Sequence, residues 1–240
     1  MNILLSLYAW TASILLLLLL FTVDAILIVV SPFDKDRKIR HRQCFWWADS
    51  ILALNPYWNL KVSGLENIDP NGTYVIIANH QSLADIMVVY KIRCQFKWIA
   101  KESLFKTPVL GGILRMNKHI CLRRGDFSSI KKVYRQAAEW LRKDVSVLFF
   151  PEGTRTDTGE MNLFQNGAFK LAIKEKVPIL PILIDGTREA IPKNGWVLKT
   201  KVNGRLKVLP PIDTSGYKSG EFDNLRDVVW EQLNKEISAQ

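Results

Sequence analysis

Cysteine is scarce and unpatterned. Cys44, Cys94 and Cys121 form an odd set with no CxxC spacing, which argues against a disulfide framework and fits reduced thiols in a cytosol-facing protein. Histidine is equally sparse, with three residues and no His/Cys clustering, so no metal site is expected. Charged residues make up only 23% of the chain against 48% apolar, which excludes a disordered chain. There is no internal repeat and no low-complexity linker, and 240 residues suffice for one domain with a sizeable core plus an appendage. The most informative absence is that of Lys and Arg from residues 1–34, which carry Asp24 and Asp34 and hence a charge of −2. Since the whole chain carries +10, the remainder carries +12. A basic body behind an apolar N-terminus points to an anionic partner: a phosphorylated substrate, an anionic bilayer surface or a nucleic acid.

What is present begins with residues 3–30, ILLSLYAWTASILLLLLLFTVDAILIVV. A bilayer span needs about 20 apolar residues, and this run exceeds that. A cleaved signal peptide has a basic n-region and a shorter apolar core, so the run reads as an anchor that is retained. Asp24 is the anomaly, since an acid at mid-bilayer costs on the order of 2.5–3.5 kcal/mol. It implies either a reach to the interface or a segment that enters one leaflet and returns. Lys35, Arg37, Lys38, Arg40 and Arg42 follow and predict a cytosolic body, because basic flanks stay on that side. Phe45, Trp46, Trp47, Ile51, Leu52 and Leu54 then describe a basic, Trp-bearing helix suited to the headgroup region; ordinary core packing is the other reading. Residues 1–59 are therefore expected to be a two-helix membrane segment and 60–240 a separate α/β domain.

From residue 60 short apolar runs alternate with amphipathic stretches. The pattern predicts strands at Tyr74–Ala78, Phe96–Ala100, His119–Leu122, Val145–Phe150, Ile179–Ile184 and Leu206–Leu209. It predicts helices over 82–93, 126–142, 164–176 and 223–238. In 126–142 the apolar residues Ile130, Val133, Ala137 and Leu141 mark one buried face, and Lys131, Lys132, Arg135 and Arg142 the other. Strands alternating with helices predict an α/β layer with a largely buried sheet. The Gly/Pro-rich stretch 186–216 predicts irregular connections.

Two motifs follow apolar runs directly and so lie at strand ends, where α/β folds place reactive groups. The first is Asn79-His80-Gln81-Ser82-Leu83-Ala84-Asp85. On one continuous helix His80 and Asp85 would stand about 140° apart. If His80 sits in the turn, Asp85 can turn back to its ring, fix the tautomer and leave the other nitrogen free to accept a proton. Ser82-x-x-Asp85 is also a helix-capping signature, which explains both residues without any chemistry. The second motif is Phe150-Pro151-Glu152-Gly153-Thr154-Arg155. Gly153 permits a tight turn with exposed N–H groups, Arg155 suits a phosphate, and Glu152 suits a substrate hydroxyl or the orientation of Arg155. Lys101 ends a third strand, and Arg123 and Arg124 end a fourth in HICLRRGD. Each cation alone reads as a solvated charge, whereas four converging strand ends with one His, one Asp, one Glu and several cations read as a site.

NHQSLAD and FPEGTR resemble the H-x4-D and EGTR motifs of the glycerolipid acyltransferase family. RRGD stands where that family has another substrate-binding motif, and Val177-Pro178-Ile179-Leu180-Pro181 is similar to its apolar-proline motif. The likeness covers about residues 60–185 and is greatest to the bacterial 1-acyl-sn-glycerol-3-phosphate acyltransferases. It implies an α/β fold of a mixed sheet flanked by helices with an N-terminal two-helix membrane motif. It also implies acyl transfer from acyl-CoA or acyl-carrier protein to the 2-hydroxyl of lysophosphatidic acid, at the cytosolic side of the inner membrane, without a cofactor. His80 and Asp85 are then the catalytic pair. Glu152, Gly153, Thr154 and Arg155 bind the acceptor, with Lys101 and Arg155 on its phosphate. Many members have an acidic residue where Leu122 stands, so the choice between Arg123 and Arg124 is open. A different acceptor (glycerol 3-phosphate, another lysophospholipid or an ornithine lipid) keeps the same chemistry. A membrane-bound anion- or nucleic-acid-binding module is the non-enzymatic alternative, disfavoured because the basic residues form no run interleaved with aromatics. Cys121 as an acyl nucleophile lacks any sign of activation.

Overall fold

A strand that is apolar at every position has to be covered on both faces, and Val75-Ile76-Ile77-Ala78 is such a strand, buried throughout. In the computed structural model, which describes residues 2–30, 32–156, 160–191 and 195–238, it lies at the centre of a seven-stranded sheet. The elements run α1 (Asn2–Ile26), α2 (Lys38–Ala53), β1 (Trp58–Ser63), β2 (Val75–Ala78), α3 (Asp85–Val89), β3 (Phe96–Lys101), α4 (Glu102–Lys106), α5 (Leu110–Met116) and β4 (Ile120–Leu122). They continue α6 (Phe127–Leu141), β5 (Ser146–Phe149), α7 (Gly167–Glu175), β6 (Ile179–Asp185), β7 (Val202–Val208) and α8 (Phe222–Ser238). The strand order is β1-β7-β6-β2-β5-β3-β4. The five strands β6, β2, β5, β3 and β4 are mutually parallel, whereas β7 is antiparallel to β6 and carries β1 parallel to itself. The sheet is therefore mixed. Its five parallel strands deliver their carboxyl ends to one edge, which brings the motifs together.

Alternation along β2 divides the core. Ile76 and Ala78 face one cluster, which takes in Ala9 of α1, Cys44 and Ala48 of α2, and Met87 and Val88 of α3. Val75 and Ile77 face the other, with Val133 and Ala137 of α6, Phe169 of α7, and Leu225 and Val229 of α8. Helix α6 has the boundaries its periodicity predicts to within a residue. It is capped by Asp126, whose Oδ1 accepts from the N–H groups of Ser128 (2.9 Å) and Ser129 (3.1 Å). The predicted helix 82–93 is shorter. It starts at Asp85 and passes through a 3-10 turn at Tyr90–Ile92 that Arg93 ends in a left-handed conformation. Strand β7 begins at Val202, four residues before the expected start. Strand β1, which straddles residues 59 and 60, alternates half-buried and exposed residues as an edge strand does, and was not expected.

Helix α1 is long and apolar enough to cross a membrane, and most of its surface lies outside the protein core. Asp24 within it is fully buried and accepts a hydrogen bond from Asn117 Nδ2 at 2.6 Å. The anomalous acid thus belongs to the contact between α1 and the end of α5. Helix α2 combines both readings of its sequence. Phe45, Trp47, Ile51 and Leu52 pack on the core while Trp46 stays exposed. Arg40, expected as a surface cation, is buried and donates to the Met116 carbonyl at 3.0 Å.

Lys97 completes this seam. It is buried in β3, and its Nζ donates to the carbonyls of Asp36 (3.0 Å) and Asn117 (3.0 Å) while lying 4.6 Å from the centroid of Trp140. The turn between α1 and α2 is thereby tied to the sheet. Burial pulls the Lys97 ammonium down from 10.5 to about 7. The unfolded chain keeps that proton over the same interval, so folding is favoured progressively as pH rises through it and disfavoured as pH falls. Thermal melts of the wild type and Lys97→Met between about pH 6 and pH 10 test this linkage. The wild type is expected to gain on the variant as pH rises from about 7, and parallel profiles would refute the linkage.

Candidate active site

At the end of β2 the Asn79 side chain replaces a ladder partner. Its Nδ2 donates to the Ile184 carbonyl and its Oδ1 accepts from the Ile184 N–H, both at 2.8 Å. The turn that follows is organised by one carboxylate. Asp85 Oδ2 accepts from the N–H groups of Gln81 (2.6 Å) and Ser82 (2.8 Å) and lies 2.8 Å from His80 Nδ1. Asp85 Oδ1 accepts from the Thr187 hydroxyl at 2.5 Å. Asp85 is wholly buried, so these protein donors replace its hydration. With Nδ1 donating to Asp85, Nε2 is the acceptor nitrogen of the ring. The His80 ring stacks on Phe150 at 4.2 Å between centroids, and Phe150 in turn stacks with Trp98 at 5.7 Å. The other two histidines are buried away from solvent. Burial pushes His41 down to about 3 and His119 well below its ordinary range, and neither lines the cleft.

Capping and orientation, which the sequence leaves as alternatives, are one arrangement. The position before the helix is Ala84, which makes no side-chain cap, and Asp85 satisfies the turn's N–H groups with the oxygen that also faces His80.

The FPEGTR turn docks onto this one. Glu152 is buried; its Oε1 accepts from the His80 N–H (2.6 Å) and its Oε2 from the Asn162 N–H (2.8 Å). The Thr156 N–H donates to the His80 carbonyl at 3.1 Å. Burial raises the Glu152 pKa, opposed by the bonds from His80 and Asn162. Both Glu152 oxygens thus receive backbone donors. Gly153 adopts φ +71°, which a side chain would strain.

These turns wall a cleft of about 560 Å³. His80, Lys101, Arg124, Glu152, Gly153 and Thr154 form its polar lining, and Trp98, Leu104, Leu122, Ile130, Phe149 and Phe150 its apolar lining. Arg123 is not part of it. Its Nη2 and Nε reach Glu102 Oε1 at 2.7 and 3.2 Å, and its Nη1 lies 3.7 Å from Asp126. Arg155 also stands outside the lining, and its Nη1 is buried without a hydrogen-bond partner among the described residues. Lys101 and Arg124 make no ion pair among the described residues. Cys121 is half-buried outside the cleft, and burial pushes its thiol up rather than activating it. No cluster of three metal-ligating side chains occurs among the described residues.

Thr187 is a site residue that no motif announces. It follows β6 after Gly186, whose φ is +74°, and is 2% exposed. The only sequence signal is its place just beyond a strand end, two residues past Asp185.

Residues 59–185 match the model of the acyltransferase family. A chloroplastic 1-acyl-sn-glycerol-3-phosphate acyltransferase of Brassica napus is 31% identical over 231 residues, 95% of this chain and 65% of that protein. One from Chlamydomonas reinhardtii is 36% identical, over 77% of this chain and 55% of its own length. The chain thus spans less than two thirds of these relatives. A 1-acyl-sn-glycerol-3-phosphate acyltransferase of Borreliella burgdorferi is 29% identical over 73% of this chain and 70% of its own. The crystal structure of a 1-acyl-sn-glycerophosphate acyltransferase from Thermotoga maritima superposes with a TM-score of 0.82 at 29% identity, covering 100% of this chain and 97% of that one.

The geometry at Asp85 changes what its variants report. Three donors converge on Oδ2, so in Asp85→Asn the amide oxygen occupies that place and the amide NH₂ faces the Thr187 hydroxyl. The histidine tautomer is then preserved. Asp85→Ala strands two buried N–H groups, at a cost on the order of 2–5 kcal/mol. Thermal and denaturant melts should therefore rank wild type above Asp85→Asn and Asp85→Ala well below both. An alanine variant as stable as the wild type would show that the turn does not depend on the carboxylate.

Proposed function

The chain belongs to the acyltransferase family, and on that premise we propose that it transfers a fatty acyl group from an acyl thioester to the free 2-hydroxyl of lysophosphatidic acid, giving phosphatidic acid. The observation that carries this reading is a buried Asp85 holding His80 at a cleft whose lining joins apolar side chains to the cations Lys101 and Arg124. A lysophospholipid combines the same two chemistries. Its hydrocarbon lies along Leu104, Leu122 and Ile130, and its phosphate between Lys101 and Arg124. Gly153 and Thr154 border the glycerol. Arg155 adds positive potential from outside the lining.

His80 Nε2 takes the proton of the 2-hydroxyl while Asp85 stabilises the imidazolium. The alkoxide oxygen bonds to the thioester carbonyl carbon and forms a tetrahedral oxyanion. Collapse breaks the carbon–sulfur bond, and the departing thiolate takes the proton from His80. Thr187 and the two backbone N–H groups fix the carboxylate, so Asp85 need not reorganise as charge appears on the ring. No metal or covalent enzyme intermediate enters these steps. Helix α1 anchors the protein in the cytoplasmic membrane, and the basic segment after it keeps the body on the cytosolic side.

The test is to incubate the full-length protein in detergent with lysophosphatidic acid and an acyl thioester and to assay phosphatidic acid and free thiol together. His80→Ala is expected to lower kcat by a factor on the order of 10²–10⁴ with a much smaller change in KM. Near-normal turnover by a folded His80→Ala protein would refute the mechanism. The two adjacent arginines separate in the same assay. Arg124→Ala should raise KM for the lysophospholipid, whereas Arg123→Ala, which breaks an exposed pair with Glu102, should leave it nearly unchanged. The reverse order would place the phosphate on Arg123.

A further inference from the structure

The two oxygens of Asp85 are held unequally. Oδ2 meets three donors of its own turn, whereas Oδ1 meets the Thr187 hydroxyl alone among the described residues. A buried carboxylate oxygen left without a donor is costly. The proton affinity of the His80–Asp85 pair therefore depends on that one hydroxyl. The other charged groups around the pair are Glu152, which takes the His80 N–H, Lys101 and Arg124 in the cleft wall, and Asp185, which Arg205 pairs at 3.3 Å. Arg188, the neighbour of Thr187, is exposed. None of these bonds to Oδ1.

Thr187 opens the loop between β6 and β7, and α1 holds that loop at its far side. The Leu198 N–H donates to Ser6 Oγ at 2.9 Å, the Trp10 indole N–H to the Trp196 carbonyl at 2.6 Å, and the Thr200 hydroxyl to the Asn2 side chain. Ser6 is fully buried at this contact. Within the loop the Lys199 N–H reaches the Ala190 carbonyl (3.4 Å), and the Ala190 N–H reaches the Thr187 carbonyl (2.9 Å). Ser82 of the catalytic turn donates to the Ile191 carbonyl at 3.4 Å. Ala9, Ala84, Ala190, Ile191 and Leu198 share one buried cluster. Bonded and packed groups thus run without a break from the first turns of α1 to Asp85 Oδ1. Most of the surface of α1 lies outside the protein core, so its seat is completed by its surroundings. We propose that Thr187 is a positioning residue for proton transfer at His80, and that the β6–β7 loop transmits to it the seating of the N-terminal end of α1. This assignment rests on the acyl-transfer reading and adds a link between the anchor and turnover.

The experiment measures the pH dependence of kcat and kcat/KM on the full-length protein in detergent with lysophosphatidic acid and an acyl thioester, with a thermal melt of each variant. Thr187→Val keeps the shape and removes the donor. Its kcat is expected to fall about tenfold or more while both KM values stay within about twofold. The acid limb of kcat/KM should move up by about one pH unit, because a buried anionic pair with one donor fewer holds its proton to higher pH. Thr187→Ser keeps the donor and should restore the limb and most of the turnover. If the valine variant melts too low to assay, Thr187→Cys, a weaker donor, replaces it and should move both quantities in the same direction. Ser6→Ala/Trp10→Phe removes two of the bonds from α1 and should reproduce the upward shift in smaller measure, yet add little to Thr187→Val. A folded Thr187→Val or Thr187→Cys protein with wild-type kcat and limb overturns the positioning role. Wild-type behaviour of the Ser6→Ala/Trp10→Phe variant, or losses that simply add in the combined variant, overturns the link to α1. In both cases acyl transfer by the wild type stands. A wild type that makes no phosphatidic acid overturns the acyl-transfer reading and this assignment with it.

Discussion

The site depends on one fully buried carboxylate. Asp85 meets two backbone N–H groups, a histidine ring and a hydroxyl, and through them it joins the turn after β2 to the loop after β6. The turn after β2 has its shape because its N–H groups need an acceptor away from water. The loop after β6 is pinned because Thr187 supplies the donor that Oδ1 requires. The FPEGTR turn joins from the other side through Glu152, which takes the N–H of the very residue whose ring faces Asp85. Polar groups in such a network are either all satisfied or costly. A histidine poised at a cleft therefore comes with a rigid surround that leaves its ring little freedom.

Much of this was legible in the chain because it is local. The run before each motif is apolar and short, so the motif falls at a strand end, and H-x4-D and EGTR stand directly beyond β2 and β5. Their convergence follows from parallel pairing, which the alternation of strands and helices already implies. The amphipathic spacing of α6 fixed its buried face, and Asp126 marked its start. What the chain did not disclose depends on distant partners. Arg123 and Arg124 are adjacent and chemically alike, and only the position of Glu102, 21 residues earlier, turns one of them away from the cleft. Thr187 sits 102 residues from Asp85 in a stretch rich in glycine and proline. Lys97 interrupts an apolar strand and reads as a surface residue, yet its ammonium is held by carbonyls from the α1–α2 turn and from the end of α5. Edge strand β1 is half-exposed and lacks the apolar run that gave the inner strands away.

The sheet also separates two classes of surface. Its one face carries the apolar hairpin and its other the basic helices, and the reacting edge lies between them. The single charge excess seen in the composition thus resolves into distinct roles. Some cations follow α1, two line the cleft, and several lie on α6 and α7. Others, such as Arg40 and Lys97, are structural and face no solvent.

The pairing of Asp24 with Asn117 has a consequence for how the protein is made. The two residues are 93 positions apart, and the N-terminal partner leaves the ribosome first. An apolar helix carrying an unpaired acid is a poor resident of hydrocarbon, and it remains so until α5 exists to meet it. The Asp24–Asn117 bond therefore forms only once α5 has been made. The first helix takes its place against the body late, and its seat is completed by a residue from the middle of the chain.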